Sequence, residues 1–278
     1  ELVERVGTAL SIHALVVEDV LEGNQRAKVE QTDSVAQIVL FWLDFEAETP
    51  ASEIDIVLGD RFLLTVHTSA WDPRSGHHLK GAGLGEIMKA GPDHLLWALS
   101  DDVVDAYFPF ADRLGDALDD IQDEVVREAS ARSLERLFSI KRELITIRRA
   151  ISPVREVFNQ LTNRDTALID PAEIVFFRDV YDHVIRLTDE LDNYRELASA
   201  TLDVYLTQVN NNLSLIMKRL TGVTVILAGI GAIAGIFGMS EAGAALAGNE
   251  HTGFWLVTAL AVALAVLAAA VLNRIGWI

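Results

Sequence analysis

Between Ser100 and Glu128 the chain carries ten carboxylates: Asp101, Asp102, Asp105, Asp112, Asp116, Asp119, Asp120, Asp123, Glu124 and Glu128. Only Arg113 and Arg127 oppose them. An acidic surface of this density collects divalent cations electrostatically. The same residues also suit a plainly solvated helix face. Asp72 lies near the pair His77-His78, although adjacent histidines without a second ligand pair are more often solvated than metal-bound. A second set of candidates is neutral. Thr224, Ala228, Gly231 and Gly235 recur at three- and four-residue steps. Ser214, Met217 and Thr221 continue that face below, with Leu220 beside it. Small residues at this spacing suit close helix packing. They equally suit the lining of a narrow pore, whose carbonyls and hydroxyls contact or replace hydration water. Repeated around a symmetric bundle, Met217 and Leu220 would make hydrophobic constrictions that gate by dewetting, and Asn210 a polar ring.

Composition narrows the classes. The formal net charge is −18, which argues against nucleic acid, whose phosphates demand Lys and Arg, and favours cations as partners. There is no cysteine, so no disulfide and no thiolate metal site. No nucleophile elbow, metalloprotease helix or phosphate-binding GxxxxGK[ST] loop is present, so neither an enzyme nor ATP drive is expected. No signal peptide is visible from Glu1 onward.

The neutral candidates sit on the stretch that organises the chain. Leu220–Gly238 and Gly253–Leu272 are free of charge. Twenty helical residues at ~1.5 Å each span roughly 30 Å, the thickness of a bilayer's hydrocarbon core. Each segment must satisfy its own backbone there as a helix, so the two make a transmembrane hairpin rather than a buried soluble one. Lys218 and Arg219 precede the first span and Arg274 follows the second, while the loop Met239–Thr252 has no Lys or Arg. By the positive-inside rule both termini are cytoplasmic and the loop faces out.

Upstream, residues 1–68 read as mixed α/β. Thr8–Val20 has helical spacing, and residues 23–30 (GNQRAKVE) form a polar connection. Ala36–Phe45 is a strand by its β-branched and aromatic content, and Ser52–Leu58 and Arg61–Thr68 pair around a Gly59-Asp60 turn. Residues 69–93 read as irregular. From His94 the pattern is helical, with Leu114, Leu118, Ile121 and Val125 along one face. A second helical stretch, Ser130–Asn163, is kinked or interrupted at Ser152-Pro153. Asp170-Pro171-Ala172-Glu173 reads as a capping box opening a long helix that runs into the first span. About 67 residues of helix would reach about 100 Å and must lean on other copies, which implies an oligomer with a stalk. The expected class is an α+β membrane protein: a cytoplasmic α/β domain over 1–93, a helical stalk over 94–218 and a membrane domain over 219–278, with spans near 219–238 and 253–273 and an outer loop at 239–252.

Taken in order, these residues resemble the CorA family of divalent-cation transporters over essentially the whole chain. The carriers are residues 23–30, Leu63–His67, His94–Leu99 followed by Val104–Phe108, Lys141–Leu144 with Arg148-Arg149, and Pro153–Val157. They continue with Phe177–His183, Leu202–Leu206, Met217–Thr221, Ala234–Met239 and the terminal Gly276-Trp277. The resemblance implies a homopentameric funnel in the cell (inner) membrane, with a pore lined by the first span. It implies Mg2+ as substrate and regulatory ligand, with Co2+ and Ni2+ as lesser substrates. The family's outer-mouth signature is Gly-Met-Asn; here it is Gly238-Met239-Ser240, and Ser214 stands where an inner ring usually carries asparagine. Serine lacks the amide carbonyl, while the outer-loop acids Glu241 and Glu250 could attract cations by charge. The family's cytoplasmic sensor is an acid pair across subunits, and the matching positions are Asp72 and Asp179. Two facing carboxylates repel unless a cation bridges them. Two alternatives stand beside this reading: a ZntB-like, proton-coupled Zn2+ transporter, and a non-conducting membrane-anchored sensor of divalent cations.

Overall fold

The structure is a computed structural model; it describes residues 1–32, 35–43, 51–80, 83–163, 168–238 and 250–277. The chain divides into two units, Glu1–Leu202 and Asp203–Ile278.

The first unit is built on an antiparallel meander of β1 (Lys28–Thr32), β2 (Val35–Leu43), β3 (Ala51–Gly59) and β4 (Phe62–His67), in that spatial order. Gly59 pairs with Phe62, which makes Asp60-Arg61 a two-residue hairpin loop. Period-two alternation sends Val35 and Val57 to one face and Ile38, Leu40, Ile54, Ile56 and Leu58 to the other. Helices α1 (Leu2–Ala9) and α2 (Ala14–Glu22) cover the first face through Val16 and Val20. Helices α4 (Pro92–Asp105) and α6 (Ala131–Asn163) pack on the sheet as well, and α5 (Phe108–Arg127) packs along α6. The buried Tyr107, between α4 and α5, donates its hydroxyl to the Phe41 carbonyl and ties this joint to β2.

Several local expectations are corrected. The Thr8–Val20 periodicity is two helices broken at residues 10–13, where Ser11 has a positive φ of 58° and His13 Nδ1 caps Leu15 N–H. The 23–30 connection already enters the sheet at Lys28. The region 69–93 holds a 3-10 turn at Pro73–Ser75 and the helix α3 (Gly83–Ala90), where a Glu86–Lys89 pair at i,i+3 supports the exposed face. α6 runs on through Ser152-Pro153 as one helix, with the adjacent Val154, Val157 and Phe158 buried, so of the two expected outcomes the interruption is absent.

α7 runs unbroken for 65 residues, Ile174–Gly238, and so belongs to both units. In the first unit its buried seam is Phe177, Val180, Val184, Leu187, Leu191 and Ala198. Each such burial contributes about 1.5–3 kcal/mol for the large side chains. In the second unit the end of α7 and the helix α8 (Glu250–Arg274) are long and apolar enough to cross a membrane. Val225, Leu227, Phe254, Trp255 and Val266 are among many large apolar side chains exposed there. A surface apolar on every side is not stable in water and requires lipid or further copies.

Candidate functional site

In the first unit, α4 and α7 each present a pair of ligating groups one turn apart: Asp101 and Asp105 on α4, Asp179 and His183 on α7. Positions i and i+4 share a helix face, so both members of each pair point the same way. His183 Nδ1 lies 3.5 Å from Asp105 Oδ1 and 3.9 Å from Asp101 Oδ1, and its Nε2 lies 3.9 Å from Asp179 Oδ2. These distances are too long for hydrogen bonds. Asp101 Oδ1 and His183 Nδ1 are both buried and make no hydrogen bond. Asp101 is 8% exposed, and burial pushes its carboxyl above the usual range although a hydrogen bond from His78 opposes the shift. One ligating atom from each of Asp101, Asp105 and His183 lies within 4.8 Å of the others. Around an octahedral ion at 2.1 Å, adjacent ligands are about 3 Å apart and opposite ones about 4 Å. The orphaned atoms are therefore spaced as ligands to one cation would be, and the residues fit such an ion.

The acid pair Asp72 and Asp179 is expected across subunits, and within one chain its two members have other partners. Asp72 caps the Pro73–Ser75 turn, accepting from Arg74 N–H at 3.0 Å and from Arg74 Nε at 3.1 Å. The Arg74 guanidinium holds the exposed Asp72 carboxyl below its ordinary value. Asp179 is exposed and faces His183. Each acid thus faces a base of its own chain.

The run of ten acids also splits. Asp112, Asp116, Asp119, Asp120, Asp123 and Glu128 lie exposed around α5, opposite the buried Leu114, Leu118, Ile121 and Val125. Asp101, Asp102 and Asp105 belong to α4, where Asp101 is buried, Asp102 half-buried and Asp105 exposed. Asp102 meets His77 and His78, giving a second group whose ligating atoms lie within 4.8 Å of one another. Sequence reasoning named His77 and His78, and Asp101, Asp102 and Asp105 among the ten acids, but it joined neither Asp102 to the two histidines nor His183 to Asp101 and Asp105. The available signal was the repeated i, i+4 spacing in Asp101/Asp105 and Asp179/His183.

In the second unit every pore candidate lies on α7. Asn210, Ser214, Met217, Leu220, Thr221, Thr224, Ala228, Gly231 and Gly235 are all exposed. Thr224 Oγ1 donates to the Leu220 carbonyl at 2.8 Å, so its hydrogen is engaged and its lone pairs remain available. A Cβ added at Gly231 or Gly235 would meet nothing within 4 Å. The small residues there are not required by packing within the chain. Gly238 ends α7 and Glu250 opens α8; Met239, Ser240 and Glu241 lie outside the described residues.

A model of the family described as CorA-like Mg2+ transporter protein matches residues 1–274. The chain belongs to the CorA family. The cobalt/magnesium transport protein CorA of Thermotoga maritima is 33% identical over 246 residues, covering 86% of this chain and 70% of that protein. The CorA of Methanocaldococcus jannaschii is 25% identical over 260 residues, 93% of this chain and 82% of its own. The complete structure of that CorA magnesium transporter aligns with 99% of this chain and 87% of its own, with a TM-score of 0.79 at 24% identity. The ZntB cytoplasmic domain of Vibrio parahaemolyticus is a more distant likeness in fold, with a TM-score of 0.54 and 15% identity over 72% of this chain and 80% of that domain. The α+β CorA architecture, with its four-stranded sheet, long helix and two apolar C-terminal helices, is thus the fold of this chain.

Proposed function

We propose that the chain is one subunit of a membrane channel for divalent cations, with Mg2+ as the main cargo and Co2+ and Ni2+ as lesser ones. The observation that carries this reading is the exposed stripe from Asn210 to Gly235 on α7, in a chain matched along 1–274 by the family model. Small and polar groups with unused lone pairs, on a helix otherwise apolar, suit a hydrated or partly hydrated ion. Mg2+ dehydrates reluctantly and prefers oxygen ligands. A single helix lines nothing, so the stripe needs further copies; a homopentamer with a cytoplasmic domain over 1–93, a stalk over 94–218 and a membrane domain over 219–278 satisfies it. The basic Lys218, Arg219 and Arg274 support a multi-pass protein of the inner membrane with both termini cytoplasmic. Entry would be driven by the membrane potential, about 2.3 kcal/mol per charge per 100 mV and so about twice that for a divalent ion.

Regulation is part of the same reading. Asp72 of one subunit and Asp179 of the next would hold a cytoplasmic divalent ion, with Asp101 and Asp105 as further oxygen ligands behind Asp179 and His183 accepting from water on the ion. The unpartnered Asp101 Oδ1 and His183 Nδ1 support this enlarged site. An ion there would offset carboxylate repulsion between neighbouring subunits.

The test is uptake into liposomes holding the purified protein. Mg2+ uptake that rises with an inside-negative potential is expected. Zn2+ flux alone, following a proton gradient, would move the chain to a ZntB-like activity. An intact oligomer silent to both ions would leave a non-conducting sensor.

A further inference from the structure

The group formed by His77, His78 and Asp102 has no part in the transport reading. Its geometry is specific. His78 Nε2 lies 2.8 Å from Asp101 Oδ2. A carboxylate only accepts, so Nε2 carries a ring hydrogen, and in the neutral ring Nδ1 is left with the free lone pair. A carboxylate that grips one imidazole nitrogen while the other faces a metal is the usual support of a ligating histidine. The supporting Asp101 is itself more than nine-tenths buried, so it fixes the ring firmly. Asp102 is also held in place. Both its oxygens lie 3.3 Å from His78 N–H, which donates to them. A side chain at Gly76 would overlap the Asp102 carboxylate, so glycine lets the acid reach this position. His77 is exposed, and its ring stands edge-on to His78 with centroids 5.1 Å apart. The group is therefore open to solvent on the His77 side and braced on the Asp101 side.

We propose that His77, His78 and Asp102 bind a divalent transition-metal ion of the Co2+, Ni2+ or Zn2+ class. Two imidazole nitrogens and one carboxylate suit borderline metals and disfavour Mg2+, which takes oxygen ligands. His77 supplies the mobile ligand, His78 the braced one, and water completes the shell. The site is distinct from the Asp101–Asp105–His183 group, yet Asp101 touches both: Oδ2 holds His78 and Oδ1 faces His183. Occupancy by a transition metal is thereby placed beside the carboxylates proposed to read cytoplasmic Mg2+.

Binding of Co2+ to the purified full-length protein in detergent, in excess Mg2+, tests the proposal, and it is read apart from any transport. Visible absorption should show one nitrogen-coordinated Co2+ per chain that Mg2+ does not displace. His77→Ala should weaken it by about tenfold or more, and because His77 is exposed the fold should survive. His78→Ala should act in the same direction, and His183→Ala should leave the Mg2+-resistant ion in place. Co2+ that is displaced by Mg2+, that binds undiminished after His77→Ala and His78→Ala, or that is lost with His183→Ala would overturn the assignment.

Discussion

The imidazole Nδ1 of His94 and the carboxylate of Glu173 meet at 2.7 Å across 79 positions of sequence. Both side chains are less than one-fifth exposed. A second tie runs beside them, from Asp170 N–H to Asp93 Oδ2 at 3.0 Å. The start of α7 is thus fastened to the start of α4, and the same histidine meets the Trp97 ring at a tilt and the Phe176 ring edge-on. A partly buried hydrogen bond to a charged group contributes about 1.5–3 kcal/mol. His94→Ala and Glu173→Ala should each lower stability by about that amount, and a double-mutant cycle by urea unfolding should show clear coupling. Purely additive losses would mean that the pair does not act as a unit.

This contact shows where sequence reading stops. The capping residues were legible: Asp170 Oδ1 does accept from Ala172 N–H at 2.8 Å. The box itself is not formed, because Glu173 turns to His94 and Asp170 N–H turns to Asp93. A tertiary partner outbid the local one, and no local pattern reports that. The two apolar C-terminal helices, the β3–β4 hairpin and the α5 seam were legible because periodicity and turn chemistry are local properties, although the loop is Asp60-Arg61, one residue past the expected Gly59-Asp60 turn. The Asp101–His183 group was not, since its two halves lie 82 positions apart and only the packing of α4 on α7 unites them. The interruption expected at Pro153 is absent from α6, whose next residues Val154, Val157 and Phe158 are buried.

Asp55 makes stability depend on pH. It is 4% exposed on β3, it accepts from Gln37 Nε2 at 3.1 Å, and burial pushes its pKa up to about 7. Glu53 and Asp19 reinforce the rise, while Gln37 and Lys28 oppose it. The folded state therefore holds a proton that the unfolded chain, with a carboxyl near 3.8, releases. Between about pH 4 and pH 7 the native state binds more protons, so this group's contribution is complete below that window and is lost as pH rises through it. Asp55→Asn, which mimics the protonated acid, should raise the melting temperature at pH 8 and change it little at pH 4. An equal effect at both values would refute the assignment.

The regulatory reading predicts a loss of feedback. Asp72→Ala combined with Asp179→Ala should leave Mg2+ uptake into liposomes poorly inhibited when Mg2+ is placed on the cytoplasmic side. His183→Ala should weaken inhibition partially, because it removes an acceptor for water on the ion and leaves the acids. Inhibition that is unchanged in the double variant would rule out this pair as the sensor.

The constriction can be tested at Met217 and Leu220. They are 59% and 60% exposed on α7, two turns and one turn below the polar Thr224. In a ring of copies such side chains would meet around the axis and exclude water from a narrow passage. Replacing them with serine keeps the volume small and lets water wet the passage, so the barrier to a hydrated ion should fall. Met217→Ser with Leu220→Ser should therefore raise Mg2+ flux several-fold under conditions that hold the parent channel shut. Opening of a different kind, by weaker subunit contact, would lower oligomer stability on size-exclusion chromatography as well. High flux from an intact oligomer assigns the barrier to these two side chains; unchanged flux from an intact oligomer places it elsewhere along α7.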